Sequence, residues 1–153
     1  MENASPSTNP SNDLIIAHME TIQGLITRFS GNSAACKNMC LTLVAALLAL
    51  LTANKEPQTL KIAFIIIGLM AWMDAYYLSM ERMAVELSKK YADKIQNGNF
   101  AYKDLYKISI GGRGLAAIGR AFSALSSHSI WPFYLGLFAS LLVIQWYFAN
   151  IPH

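Results

Sequence analysis

Apolar residues gather in three runs, near 36–54, 60–80 and 130–150, and the stretches between them turn amphipathic. Residues 38 to 54 carry no charge. A bilayer crossing needs roughly 20 apolar residues, with about 17 near the lower limit, so this run predicts a first transmembrane helix over 36–54. Ala45, Ala46 and Ala49 are small enough to permit close helix contact. Asn54 to Gln58 reads as a turn, with Pro57 stopping one helix and opening the next. The second run, 60–80, starts at Lys61, stays apolar from Ile62 to Met73 and then admits Asp74. Trp72, Tyr76 and Tyr77 fit an aromatic belt at its end. No breaker follows before Gly98, so the helix is expected to run on to about Asn97, a rod of roughly 55 Å. The third run, 130–150, carries Trp131 and Trp146–Tyr147 near its ends, and Pro132 suits a first helical turn.

The other segments complete an all-α reading. Residues 1–12 are rich in Ser, Asn and Pro, lack the basic start of a cleavable leader, and read as a disordered tail. Residues 13–35 predict a cytosolic amphipathic helix capped by Asp13. His18, Ile22, Leu25, Phe29, Asn32 and Cys36 form one face at 4-3-4-3-4 spacing. Gly24 and Gly31 weaken this helix and predict a bend near Ser30–Asn32. Residues 81–128 form a cytosolic helical region. Within it, Gly111 to Gly114 is a joint, and Leu115 to Leu125 is a short amphipathic helix with Leu115, Ile118, Phe122 and Leu125 on one side. That helix is expected in the membrane surface or against the soluble helices. The expected fold is an all-α membrane protein of three transmembrane helices and amphipathic cytosolic helices, assembled as a homo-oligomeric bundle.

Composition sharpens this picture. Of the 153 residues, 54% are hydrophobic and 14% charged, against about 25% charged in soluble domains. From Ala121 to His153 there is no Asp, Glu, Lys or Arg. The net charge of +3 is too modest to imply a nucleic-acid partner by itself. Arg28, Lys37, Arg82, Lys89, Lys90, Lys94, Lys103, Lys107, Arg113 and Arg120 fall on one side of the spans, and only Lys55 and Lys61 fall opposite. The positive-inside rule then places the N-terminus in the cytoplasm and the C-terminus outside. Cys36 and Cys40 lie one helical turn apart with no partners elsewhere, and read as small packing residues rather than a disulfide or zinc site.

Three groups of residues are candidates for function. Asp74 is an acid inside a span, where charge is costly and faces protein or water. In a pore it would attract cations; near the inner interface it would be hydrated or paired with Arg82. His18, Gln23, Arg28, Asn32 and Lys37 interrupt or flank the apolar seam of the first helix. Such polar residues fix register and copy number in helix assemblies, or else mark a helix lying on the bilayer. Lys103, Lys107, Arg113 and Arg120 flank Tyr102, Tyr106 and the glycines. Cations, aromatics and open backbone suit phosphates and bases, but also anionic lipid. HExxH, GxSxG and carboxylate clusters are missing, and His18 and His128 have no evident nucleophile partner. No catalysis, cofactor or metal is expected.

The segment from His18 through Gln23 and Gly24 to Arg28, followed by Asn32-Ser33 and by Lys37 leading straight into the first span, resembles a family of small bacterial membrane proteins. That family is the membrane effector of Hailong-type antiphage defence, found beside nucleotidyltransferases. The resemblance covers roughly residues 14 to 53. It implies a tetrameric ion channel held closed by a nucleotide or oligonucleotide signal from the partner enzyme, which depolarises the membrane when opened. It also implies more than three spans, so that one amphipathic segment would be membrane-embedded. Two other expectations stand beside it: a non-conducting anchor recruiting a cytosolic partner through 81–128, and a holin-like membrane disrupter.

Overall fold

The computed structural model of the chain describes residues 10–54, 58–110 and 115–150. Every regular element among the described residues is helical: α1 (Asn12–Asn54), α2 (Gln58–Gln96), a 3-10 turn (Tyr102–Asp104), α3 (Leu115–Leu125) and α4 (Trp131–Asn150). The helices α1, α2 and α4 are each long and apolar enough to cross a bilayer. At 1.5 Å per residue, the 43 residues of α1 and 39 of α2 give rods of about 65 and 58 Å. That is about twice the ~30 Å of a hydrocarbon layer. Each therefore carries an apolar half and an amphipathic half.

The first helix runs unbroken through Ser30, Gly31 and Asn32, where the glycine predicted a bend. Thr21 and Thr27 donate their hydroxyls to the carbonyls of Ala17 and Gln23 four residues earlier, so each side chain folds back along its own helix. A Cβ on Gly24 or Gly31 would meet nothing within 4 Å. These glycines only weaken propensity, and packing against α2 overrides that.

The helices α1 and α2 form an antiparallel hairpin in which His18 meets Tyr91, Gln23 meets Ser88 and Ser33 meets Asp74. The buried line on α1 is His18, Ile22, Ser33, Cys36, Cys40, Val44 and Leu51. Ser33, not Asn32, turns inward. A strict 4-3 spacing drifts by about 20° per heptad against a 3.6-residue helix, and over this length the seam moves to the next residue. Two cores result. One joins Cys40, Val44 and Leu51 of α1 to Leu60 and Ile67 of α2 and Tyr134 of α4. The other joins Ile22, Tyr91 and Phe100 at the charged end.

The second helix touches all three of the others. It ends at Gly98, whose φ of +67° allows a left-handed cap. Gly98 N–H donates to Ile95 O at 3.1 Å and Asn99 N–H to Lys94 O at 2.9 Å, the paired bonds of a Schellman motif. Against its apolar half lies α4, with Phe138 stacked on Phe64 at 4.8 Å and Tyr134 Oη donating to Met70 O at 3.3 Å. On α3 the buried residues are Ala121 and Ala124, while Ile118 and Phe122 stay exposed. Of the apolar side read from the sequence, Leu125 packs on the core while Ile118 and Phe122 point outward, and the Leu115 side chain lies outside the described residues; Ala121 and Ala124 let α3 approach closely.

Candidate functional site

Asp74 is fully buried between α1 and α2. Its Oδ1 accepts a hydrogen bond from Ser33 Oγ. Its Oδ2 lies 2.6 Å from Lys37 Nζ, which also donates to Ser33 Oγ at 3.3 Å. The ion-pair partner is therefore Lys37, and Arg82 instead donates from Nη2 to Ser127 Oγ at 2.9 Å. The pairing follows from chain geometry. Lys37 and Asp74 bound the uncharged stretches of adjacent helices at nearly equal distances from the connection at 55–57, so an antiparallel hairpin brings them level. The start of α4 is level too, because Tyr134 reaches Met70, one turn from Asp74. Trp72, Tyr76 and Tyr77 lie within one turn of Asp74 on α2, and Trp131 one turn before Tyr134 on α4.

His18 is the centre of a second cluster. It is fully buried, edge-on to Tyr91 at 4.7 Å and beside Phe100 and Tyr106 at 5.7 and 6.1 Å. Its Nδ1 accepts the Tyr106 backbone N–H at 3.1 Å, so the proton of the neutral ring sits on Nε2. Tyr106 has φ +57°, a left-handed conformation that non-glycine residues seldom adopt. Burial pushes the imidazole below its ordinary value, with Asp104 acting in the opposite direction. Burial likewise pushes the Tyr91 phenol up, helped by Asp104 and opposed by Lys94.

The segment 100–108 is strapped onto α2 beside this histidine. Tyr91 Oη donates to Lys107 O at 2.6 Å, and Lys94 Nζ donates to Asp104 Oδ1 at 2.7 Å. Asp104 Oδ2 accepts the Ala101 N–H at 3.2 Å. The Lys94 bond first, then the Ala101 bond, holds the Asp104 carboxyl below the usual range. Tyr91 and Asp104 are site residues that the sequence did not point to, whereas Tyr106 stood out only as an aromatic beside the basic cluster and Ser33 only as part of the α1 motif. Only the matched arm lengths around 55–57 could have found Ser33.

The remaining sequence candidates are dispersed. Gln23 Nε2 donates to Ser88 Oγ at 3.4 Å, Arg28 lies over its neighbour Phe29, and Asn32 lines a groove of about 290 Å³ with Cys36, Met39, Met70, Met73 and Tyr77. Of the expected oligomer seam, His18, Gln23 and Lys37 are thus engaged inside the protomer, while Arg28 and Asn32 border its outer face. Lys107 lines a cavity of about 210 Å³ with Lys90, Lys94 and Asp104, and Lys103 sits on the 3-10 turn. Arg120 lines a different cavity with Arg82. Arg113 lies outside the described residues. Among the described residues no three His, Cys, Asp or Glu are grouped to hold a metal.

The arrangement offers a charged latch between two long apolar helices, a histidine-centred platform at the charged end, and basic cavities along α2. No family model, curated protein or solved structure matches the chain.

Proposed function

We propose that the chain spans a bacterial inner membrane three times with its charged half in the cytoplasm, and that copies of it assemble into an ion channel whose latch is the Lys37–Asp74–Ser33 cluster. The observation that carries this reading is the buried Lys37–Asp74 pair. Ionised side chains at membrane depth are costly and mark ion pathways or switches, and a buried pair holds its helices in register only while both partners stay. Three spans enclose no pore alone, so conduction requires several copies. Ile65, Leu69, Leu142 and Val143 are exposed apolar residues suited to lipid or to a neighbouring copy. Asp74 becomes available to cations when Lys37 moves away. The antiphage role, the tetramer and the nucleotidyltransferase-derived oligonucleotide rest on the family resemblance of the α1 segment. Such a signal would meet the basic side at Lys103, Lys107 and Arg113.

Recording from purified protein in planar bilayers tests the reading. Discrete unitary currents are expected, with more frequent opening in Lys37→Met and weaker cation preference in Asp74→Asn. Silence in every variant favours a non-conducting anchor, a reading supported by the separate core around Ile22, Tyr91 and Phe100. Irregular large leaks favour a disrupter.

A further inference from the structure

We infer that Arg82 and Arg120 form a binding site for the phosphate group of an anionic phospholipid, between α2 and α3. Ser79, Arg82, Met83 and Glu86 of α2 and Arg120 and Ser123 of α3 line a cavity of about 190 Å³. A water occupies roughly 30 Å³ in the liquid, so the cavity has room for a phosphate. Arg120 Nε and Nη2 are buried there without a hydrogen-bond partner. Among the described residues no carboxylate pairs with either guanidinium. A buried guanidinium left unpaired is expensive, and a phosphate presents the paired acceptors its planar fork fits. Arg82 is held in place by its bond to Ser127. Glu86 on the wall opposes an anion, but two guanidiniums outweigh one carboxylate.

The surroundings favour a lipid over a free phosphate. Residues 118 and 122, flanking Arg120 on α3, are Ile118 and Phe122, 44% and 59% exposed. Phe122 meets Trp72 edge-on at 5.1 Å, on the apolar side of Asp74, whereas Arg82 lies beyond Asp74 on the charged side. From Asp74 to Arg82 is about 12 Å along the axis, which carries Arg82 from the hydrocarbon depth proposed for Asp74 into the headgroup layer of roughly 5–8 Å per leaflet. The helix α3 therefore straddles the boundary as a phospholipid does, with Ile118 and Phe122 toward the acyl layer and its one cation, Arg120, toward the headgroup. This inference requires the membrane placement proposed above, but neither conduction nor oligomer formation.

Native mass spectrometry of the full chain released from nanodiscs tests it. Discs contain phosphatidylcholine alone or with phosphatidylglycerol. Wild-type protein is expected to retain phosphatidylglycerol. The double variant Arg82→Gln/Arg120→Gln should lose it about tenfold, and the control Lys89→Gln/Lys90→Gln should keep it. Ser123→Glu, which adds a carboxylate at an exposed position, should lose lipid without risk to the fold. Equal retention by all four proteins overturns the site. Displacement of the lipid by millimolar inorganic phosphate overturns the lipid source. Channel currents are not part of the readout, so failure here leaves the channel reading standing, and silence in bilayers leaves this site standing.

Discussion

Lys37 and Asp74 face each other across the α1–α2 seam at 2.6 Å, yet their side chains are 21% and 0% exposed. The two ends of the pair are therefore unequal. Removing the lysine strands a carboxylate with only Ser33 to bond it. Removing the acid leaves an ammonium whose four-carbon stem can swing toward water. Lys37→Met should cost about 3–5 kcal/mol of stability, the usual range for an uncompensated buried charge. Asp74→Asn, which keeps a polar partner for Ser33, should cost about 1–2 kcal/mol. The double variant Lys37→Met/Asp74→Leu should recover most of the first loss. Unfolding in detergent, followed by circular dichroism, measures all three, and equal costs for the single variants would contradict the asymmetry.

The His18–Tyr106 contact predicts acid sensitivity at the charged end. His18 has its folded-state value depressed below 6.5, so the unfolded chain binds the extra proton first. Stability from the buried neutral ring is complete above 6.5 and declines as the pH falls below it, through the folded value. Protonated Nδ1 can no longer accept the Tyr106 N–H, and the left-handed Tyr106 then loses its tie. Asp104, paired with Lys94, opposes this by favouring the imidazolium, while Tyr91 stays neutral. Hydrogen exchange should show Tyr106 amide protection falling between pH 7.5 and 5. In His18→Asn, which retains an acceptor but does not titrate, protection should not depend on pH beyond the intrinsic exchange rate. A pH-dependent loss surviving in that variant would assign the effect to another group.

The first and third apolar helices are legible in the sequence because uncharged runs of 17 residues or more, 38–54 and 121–153, have few aqueous alternatives, and the second because its apolar stretch from 62 to 73 continues past Asp74. The long reach of α2 is legible for a related reason: no glycine or proline interrupts Lys61 to Gln96 except Gly68, and the break comes at Gly98. What escapes is anything decided between elements. Lys37 and Asp74 are far apart in sequence, and only the hairpin register pairs them instead of Asp74 with Arg82. The inward turn of Ser33 depends on helical drift along α1, and the packed face of α3 on how closely Ala121 and Ala124 can approach α2. Periodicity finds an apolar face but does not say whether protein or lipid covers it.

Two glycine replacements should shift stability in opposite directions. Gly98 has φ +67° and closes both bonds of the α2 cap. Forcing an L side chain into that conformation costs about 1–2 kcal/mol, so Gly98→Ala should destabilise and expose the 100–108 strap to protease. Gly24 is helical with open space around its absent Cβ. Gly24→Ala should stabilise by about 0.5–1 kcal/mol through lower backbone entropy loss. Limited proteolysis and thermal melts of the two variants, compared side by side, give the signs.

Membrane orientation can be read with cysteine reporters because the native thiols are shielded: Cys36 and Cys40 are 8% and 0% exposed. Wild-type protein should therefore give almost no background with a membrane-impermeant maleimide. Lys89 and Gln58 are exposed, at opposite ends of α2. Ten of the twelve Lys and Arg sit on the Lys89 side, the side that the proposed orientation puts inside on the strength of that bias. In intact spheroplasts Gln58→Cys should label at once, and Lys89→Cys only after permeabilisation. The reverse pattern would turn the topology over and move the Arg82–Arg120 cavity to the outer leaflet. Labelling of both without permeabilisation would mean that α2 does not cross the bilayer, and the Lys37–Asp74 pair would then be an ordinary buried salt bridge between two soluble helices.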